Sequence, residues 1–119
     1  MSQDLQQLAG EDFCYLTTTG RISGRPHTIE IWFALHKQTL YMLSGGRGKS
    51  DWVKNALQTP TVQVKINSTS FDGKARLVRD TEEDTLARTI VFEKYTPRSS
   101  DDLVDWSQTS LPIAIDIFE

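Results

Sequence analysis

The sequence predicts a mainly β chain: a small antiparallel barrel of about six strands with helices inserted between them. Three observations carry this. Apolar and polar residues alternate with period two in short segments that are separated by glycine, proline and polar turn residues. Only two segments carry clear helical spacing, one in mid-chain and one before the last strand. Closing such a set of strands into a barrel removes exposed sheet edges, which an open sheet would have to protect in some other way.

In chain order, residues 3–8 are read as a short amphipathic helix ending at Gly10. The aromatic and β-branched run FCYLTTT, residues 13–19, favours a strand, and residues 20–26 break it with two glycines and a proline. Residues 27–35 form the second strand of the hairpin, with Ile29, Ile31, Phe33 and Leu35 on one face and Thr28, Glu30, Trp32 and Ala34 on the other. After a turn at 36–39, residues 40–44 continue the meander. KSDWVKNALQ then changes to helical spacing, predicting a helix over 50–58 that Pro60 stops. Strands are predicted over 62–66 and, with poorer alternation, over 75–79. Thr81 and Asp84 resemble a capping box ahead of the stripe Leu86, Ala87, Ile90, Val91 and Tyr95, and Pro97 ends that helix. Residues 98–102 read as a polar loop, and 103–106 are too few to assign. Ile113, Ile115 and Ile117 mark the last strand.

A chain of 119 residues with 38% hydrophobic content can bury one core of ordinary size, so residues 1–119 are expected to form a single domain. A net charge of -3 supplies no attraction for nucleic acid or anionic membranes, and neither is expected as a partner. No apolar run approaches the ~20 residues of a membrane span, and the start MSQDLQQLAG lacks the features of a signal peptide, so a cytoplasmic location is expected. The single cysteine, Cys14, cannot form an intramolecular disulfide and is read as a core residue.

Two segments carry candidate chemistry. In LSGGRGKSDW a strand ends at Ser44, a glycine-rich turn follows and a helix begins, an arrangement that brings backbone amides, Arg47 and Lys49 toward an anion. The fragment GRGKS imitates the end of a Walker A loop, but Leu43 stands where that motif needs glycine, and the strands are not parallel; a nucleoside triphosphatase is excluded. In TTTGRISGRPHTIEIWF a glycine turn carries Arg21 and Arg25 into the long second strand. Glu30 is placed on the same face as Thr28 and Trp32, where it lines a cavity or faces solvent. His27 and His36 have no third ligand at metal spacing, and no G-x-S-x-G elbow is present, so neither a metal site nor a serine nucleophile is expected.

Taken together, TTTGRISGRPHTIEIWF, LYMLSGGRGKSDWVKN and TPTVQVKI resemble the deazaflavin (F420)-dependent nitroreductase family, a branch of the pyridoxamine 5′-phosphate oxidase-like, FMN-binding split β-barrels. The most specific parts are T-T-G-R-x-S-G-x-P and the x-W-x-x-N that follows the small-residue turn. The resemblance implies a six-stranded split barrel with cofactor contacts from Arg25, Pro26, His27, Thr28, Ile29 and Glu30. It implies further contacts from Ser44, Gly45, Gly46, Lys49, Ser50, Trp52 and Asn55. Glu30 stands where that family often has proline, and the glycine turn is shorter, so the ligand is F420, FMN or a group without redox activity. The activity implied is hydride transfer from reduced F420 to a quinone, nitroaromatic or similar small electron acceptor. The alternatives are an FMN-dependent oxidase or reductase and a non-catalytic flavin-, haem- or lipid-binding protein. The cofactor carries the chemistry, so no catalytic side chain is assigned. Split barrels often pair through a β-face, and Trp32 and Trp106 permit a homodimer.

Overall fold

The computed structural model describes residues 2–118. The chain runs α1 (Ser2–Gln7), β1 (Cys14–Thr19), β2 (Pro26–Ile31), β3 (Ala34–His36), β4 (Thr39–Ser44), α2 (Asp51–Gln58), β5 (Thr61–Ile66), β6 (Thr69–Leu77), α3 (Thr81–Tyr95), α4 (Val104–Thr109) and β7 (Leu111–Ile117). The strands form one sheet in the order β2-β1-β5-β6-β7-β4-β3, and every neighbouring pair is antiparallel. Its two edge strands, β2 and β3, are consecutive in the chain and separated only by Trp32 and Phe33. That link spans at most about 11 Å, so the sheet must curl until its edges come near each other. The result is a half-barrel, split where β2 and β3 do not pair. No helix among the described residues is long and apolar enough to cross a membrane.

The six strands expected are therefore seven, and the sheet order is open rather than closed. The extra strand arises because residues 27–35 break at Trp32 and Phe33. The Phe33 N–H donates to the Tyr95 hydroxyl at 3.0 Å, and the Lys94 ammonium donates to the Phe33 carbonyl at 2.8 Å. These bonds from α3 replace the strand ladder at that peptide. The chain then re-enters the sheet with Ala34 opposite Tyr41 on the outer face. Period two survives locally, but a contact more than 60 residues away in sequence interrupts it.

β6 begins at Thr69, earlier than its alternation suggests, and joins β5 through the two-residue turn Asn67 and Ser68, where Asn67 has φ 56. Gly73 obscured the pattern. A Cβ there would lie 2.9 Å from the Asp116 carbonyl, so a side chain has no room between β6 and β7. α3 is capped by Asp80, whose carboxylate accepts from the Glu83 N–H at 2.9 Å, rather than by a Thr81 box. An aspartate one position earlier already satisfies the end amide. Residues 103–106, too few to assign from sequence, run into α4.

Leu16, Leu40, Met42, Val64, Ile113 and Ile115 fill the curled interior with no exposed surface. A second cluster lies outside the sheet, where α3 sets Ala87, Val91 and Tyr95 against Tyr41, Leu43 and Ala114. β4 is therefore buried on both faces.

Candidate functional site

The β1–β2 hairpin and α2 enclose a cleft of about 490 Å³. The hairpin contributes Thr18, Gly20, Arg21, Ile22, Ser23, His27, Thr28 and Ile29, and α2 contributes Asp51, Trp52 and Asn55. The turn from residue 20 to 25 is held by Gly20 N–H to the Arg25 carbonyl at 2.8 Å and Gly24 N–H to the Gly20 carbonyl at 2.9 Å. Gly24 has φ +72, and a Cβ on Gly20 would lie 2.6 Å from the His27 ring, so both glycines follow from the turn's geometry.

Asn55 fixes that turn to the helix. Its Oδ1 accepts from the Arg21 backbone N–H at 3.1 Å and from Arg21 Nη1 at 2.9 Å, and its Nδ2 reaches Thr18 Oγ1 at 3.5 Å. The amide is 5% exposed. A neutral, buried partner thus positions the Arg21 guanidinium without cancelling its charge. Asp51 meets its other terminal nitrogen, Nη2, at 3.1 Å. Trp52, Ile29 and Ile22 add apolar surface to the same lining, and Ile22 is 91% exposed. A cation and an aromatic, apolar surface in one lining suit a ligand with an anionic tail and a planar ring system. The volume lies within the ordinary range for small-molecule and cofactor sites.

The glycine-rich turn is built differently. Residues Arg47–Lys49 form a 3₁₀ turn, and Arg47 has φ 54. Ser44 Oγ donates to the Arg47 carbonyl at 2.9 Å and lies 2.8 Å from Ser50 Oγ, so Ser50 faces back to the strand and does not cap α2. The Arg47 guanidinium donates to the Thr109 carbonyl at the end of α4. Gly45 and Gly46 are exposed, Gly45 packs near the Trp106 ring, and Lys49 is exposed. None of these residues lines the cleft.

On the outer face at the split, Trp32 stacks on Tyr95 with ring centroids 4.2 Å apart and planes 1° apart, and Trp106 meets it edge-on at 5.7 Å. Tyr95 donates its hydroxyl to the Asp12 carbonyl at 2.7 Å, and burial pushes its pKa up to about 12. Burial, with Arg98 nearby, lowers Lys94 to about 8. Burial also raises the Cys14 thiol to about 12, which keeps it protonated and inert at neutral pH. Away from the cleft, Arg76 makes a bidentate pair with Glu83 at 2.7 Å and a second pair with Asp116 at 2.6 Å. Tyr41 donates to Glu83 at 2.6 Å. The hydrogen bonds from Arg76 and Tyr41 hold Glu83 at about 2. This network ties α3 to β4, β6 and β7.

A family model described as F420H(2)-dependent quinone reductase matches residues 2–117. The chain belongs to that family. A comparison with curated proteins finds no match. Among solved structures, an F420-H2 dependent reductase is similar with TM-score 0.70 and 20% identity over 87% of this chain and 93% of that one. A Listeria innocua protein described as a pyridoxamine 5′-phosphate oxidase gives 0.72 and 18% over 98% and 92%. The haem storage protein HutZ of Vibrio cholerae gives 0.75 and 16% over 98% and 89%. At these identities the solved structures establish the shared split-barrel fold alone, and their different ligands show that the fold does not select one.

For this F420H(2)-dependent quinone reductase family member, the structure brings His27, Thr28, Ile29, Trp52 and Asn55 to one cleft. Arg25, Pro26, Glu30, Ser44, Gly45, Gly46, Lys49 and Ser50 lie outside its lining. Glu30 is exposed on the outer face opposite Tyr15, so it shares Thr28's face without reaching the cleft, and Trp32 turns to α3. Thr18, Gly20, Arg21, Ile22, Ser23 and Asp51 line the cleft but were not among the predicted contacts. The signal for four of them was present, because T-T-G-R-x-S-G-x-P itself contains Thr18, Gly20, Arg21 and Ser23.

Proposed function

We propose that this protein is a cytoplasmic oxidoreductase that binds reduced F420 in the cleft between the β1–β2 hairpin and α2. It uses that cofactor to reduce a small electron-poor acceptor, a quinone or a nitroaromatic. The observation that carries this reading is Arg21, held in the cleft by buried Asn55 within a lining that also includes Trp52 and Ile29. Membership of the F420H(2)-dependent quinone reductase family supports the choice of cofactor.

When bound, the deazaflavin supplies the hydride. The chain's part is to bind and orient. Arg21 and Ser23 offer donors to a phosphate or carboxylate tail, with Arg25 and Lys49 adding positive charge from the exposed turns. Trp52, Ile29 and Ile22 offer apolar surface to the ring and keep water from it. Hydride transfer does not depend on His27, because water can supply the proton that completes reduction of a quinone or nitro group.

The purified protein should bind F420 more tightly than FMN in a fluorescence titration, and the loaded protein mixed anaerobically with menadione should oxidise reduced F420 rapidly. FMN bound at least as tightly would overturn the cofactor assignment. Tight F420 binding without oxidation would make this a binding protein instead. The same reading includes a homodimer through the outer face at the start of β1, where Tyr15 and Phe13, just ahead of the strand, meet edge-on at 5.6 Å and stand 40% and 39% exposed. Light scattering of the eluted protein tests it, and a monomer would reject it.

A further inference from the structure

Arg21 has two partners of unlike kind. Asn55 is buried and neutral, and it grips both the backbone N–H and Nη1 of Arg21. Asp51 is charged, and its side chain is 84% exposed against 26% for Arg21. One contact is monodentate, from Nη2 to Asp51 Oδ1 at 3.1 Å, and both residues line the same cleft. The two roles separate on physical grounds. Asn55 sets where the guanidinium sits at almost no cost to its charge. Asp51 neutralises that charge, yet an exposed, monodentate ion pair contributes little to stability and its carboxylate can swing into water at small cost.

We propose that Asp51 is a built-in competitor for the anionic end of the ligand: it occupies the outer nitrogen of Arg21 and yields it when a phosphate or carboxylate enters the cleft. The identity of that ligand as F420 rests on the function proposed above, but the exchange itself requires only an anion. The consequence is selectivity by charge. A neutral ligand gains little from Arg21, and a singly charged one must displace a carboxylate of equal charge. A multiply charged tail gains more than it displaces when it takes the Nη2 that Asp51 releases. Asp51 thereby weakens binding of every anion while discriminating against the weaker ones. Once displaced, it stands in water, where its repulsion of the bound anion is screened to a small remainder.

Asp51→Asn removes the competitor and the repulsion while keeping a polar residue in the first turn of α2. An exposed, monodentate ion pair of this kind costs an incoming anion that must break it about 2- to 5-fold in affinity. The experiment measures dissociation constants of wild type and Asp51→Asn for F420 by fluorescence and for inorganic pyrophosphate by calorimetry, with a thermal melt to establish folding. Arg21→Gln, alone and combined with Asp51→Asn, provides the second arm. The expected result is about 2- to 5-fold tighter binding of both ligands by Asp51→Asn, with the gain falling to less than about 1.5-fold when Arg21 is absent. Tighter pyrophosphate binding with no F420 binding by any variant would retain the exchange and reject F420 as the ligand. Asp51→Asn binding neither ligand more tightly than wild type overturns the proposal. So does an equal gain with and without Arg21, since the effect would then be general surface charge.

Discussion

Replacing Asn55 tests whether position and charge at Arg21 are separate functions. Asn55→Ala deletes one hydrogen bond from a backbone N–H at 3.1 Å and one from a guanidinium at 2.9 Å, while the 3.5 Å approach to Thr18 is too long to count for much. The first is worth about 1 kcal/mol and the second, charge-assisted but partly screened, about 1.5 kcal/mol. Relief from burying the amide offsets part of this, leaving a loss of about 2 kcal/mol in unfolding free energy. Asn55→Asp is the informative partner. It keeps the acceptor geometry and adds a charge beneath Arg21, so folding should survive while the guanidinium is neutralised from within. Urea unfolding gives the stabilities, and a fluorescence titration with F420 at two salt concentrations gives the affinities. Asn55→Ala should lose both stability and about tenfold in affinity, whereas Asn55→Asp should keep stability and lose affinity by a similar factor. Asn55→Asp binding the cofactor as tightly as wild type, with the same salt dependence, would refute the idea that Arg21 meets the ligand as a free charge.

Glu83→Gln should destabilise the fold at pH 7 and scarcely at all at pH 2. Glu83 sits at about 2 in the folded protein against 4.5 unfolded, so its stabilisation is full above pH 4.5 and is lost as pH falls toward 2. The gross value of about 3 kcal/mol reduces to about 1 to 2 kcal/mol once the 40% exposure of Arg76 is allowed for, or roughly 3 to 8 °C in Tm by calorimetry; an equal deficit at both pH values would contradict it. His27→Ala and Glu30→Gln should each slow single-turnover oxidation of reduced cofactor by less than about 100-fold at saturating cofactor, and a larger drop in either would reveal a specific proton donor. Lys49→Ala should weaken F420 binding by less than about threefold, well below the effect of Arg21→Gln, because Lys49 is exposed outside the cleft; equal losses in the two variants would place the tail along the glycine turn instead.

Period two and turn residues were enough to read β1, β4, β5 and β7 from the sequence, and helical spacing was enough for α2 and α3, because each reports burial on one face of a local element. The T-T-G-R-x-S-G-x-P and W-x-x-N motifs also marked the two segments that meet at the cleft. What the sequence could not determine depends on contacts between distant residues. Lys94 and Tyr95 take the Phe33 peptide out of the sheet and make one expected strand into two. The Asp116 carbonyl across from Gly73 explains a strand that its own residues hide. At the site, Lys49 and Arg47 looked equivalent to Arg21 as basic residues in glycine turns, since charge in a sequence has no direction. Only the packing of α2 against β1 puts Arg21 on the cleft, with Asn55 buried beneath it and Asp51 at its outer edge, while Arg47 turns away to Thr109. Local propensity determines which elements form, and the curvature of the sheet, a property of all seven strands together, determines which side chains share a cleft.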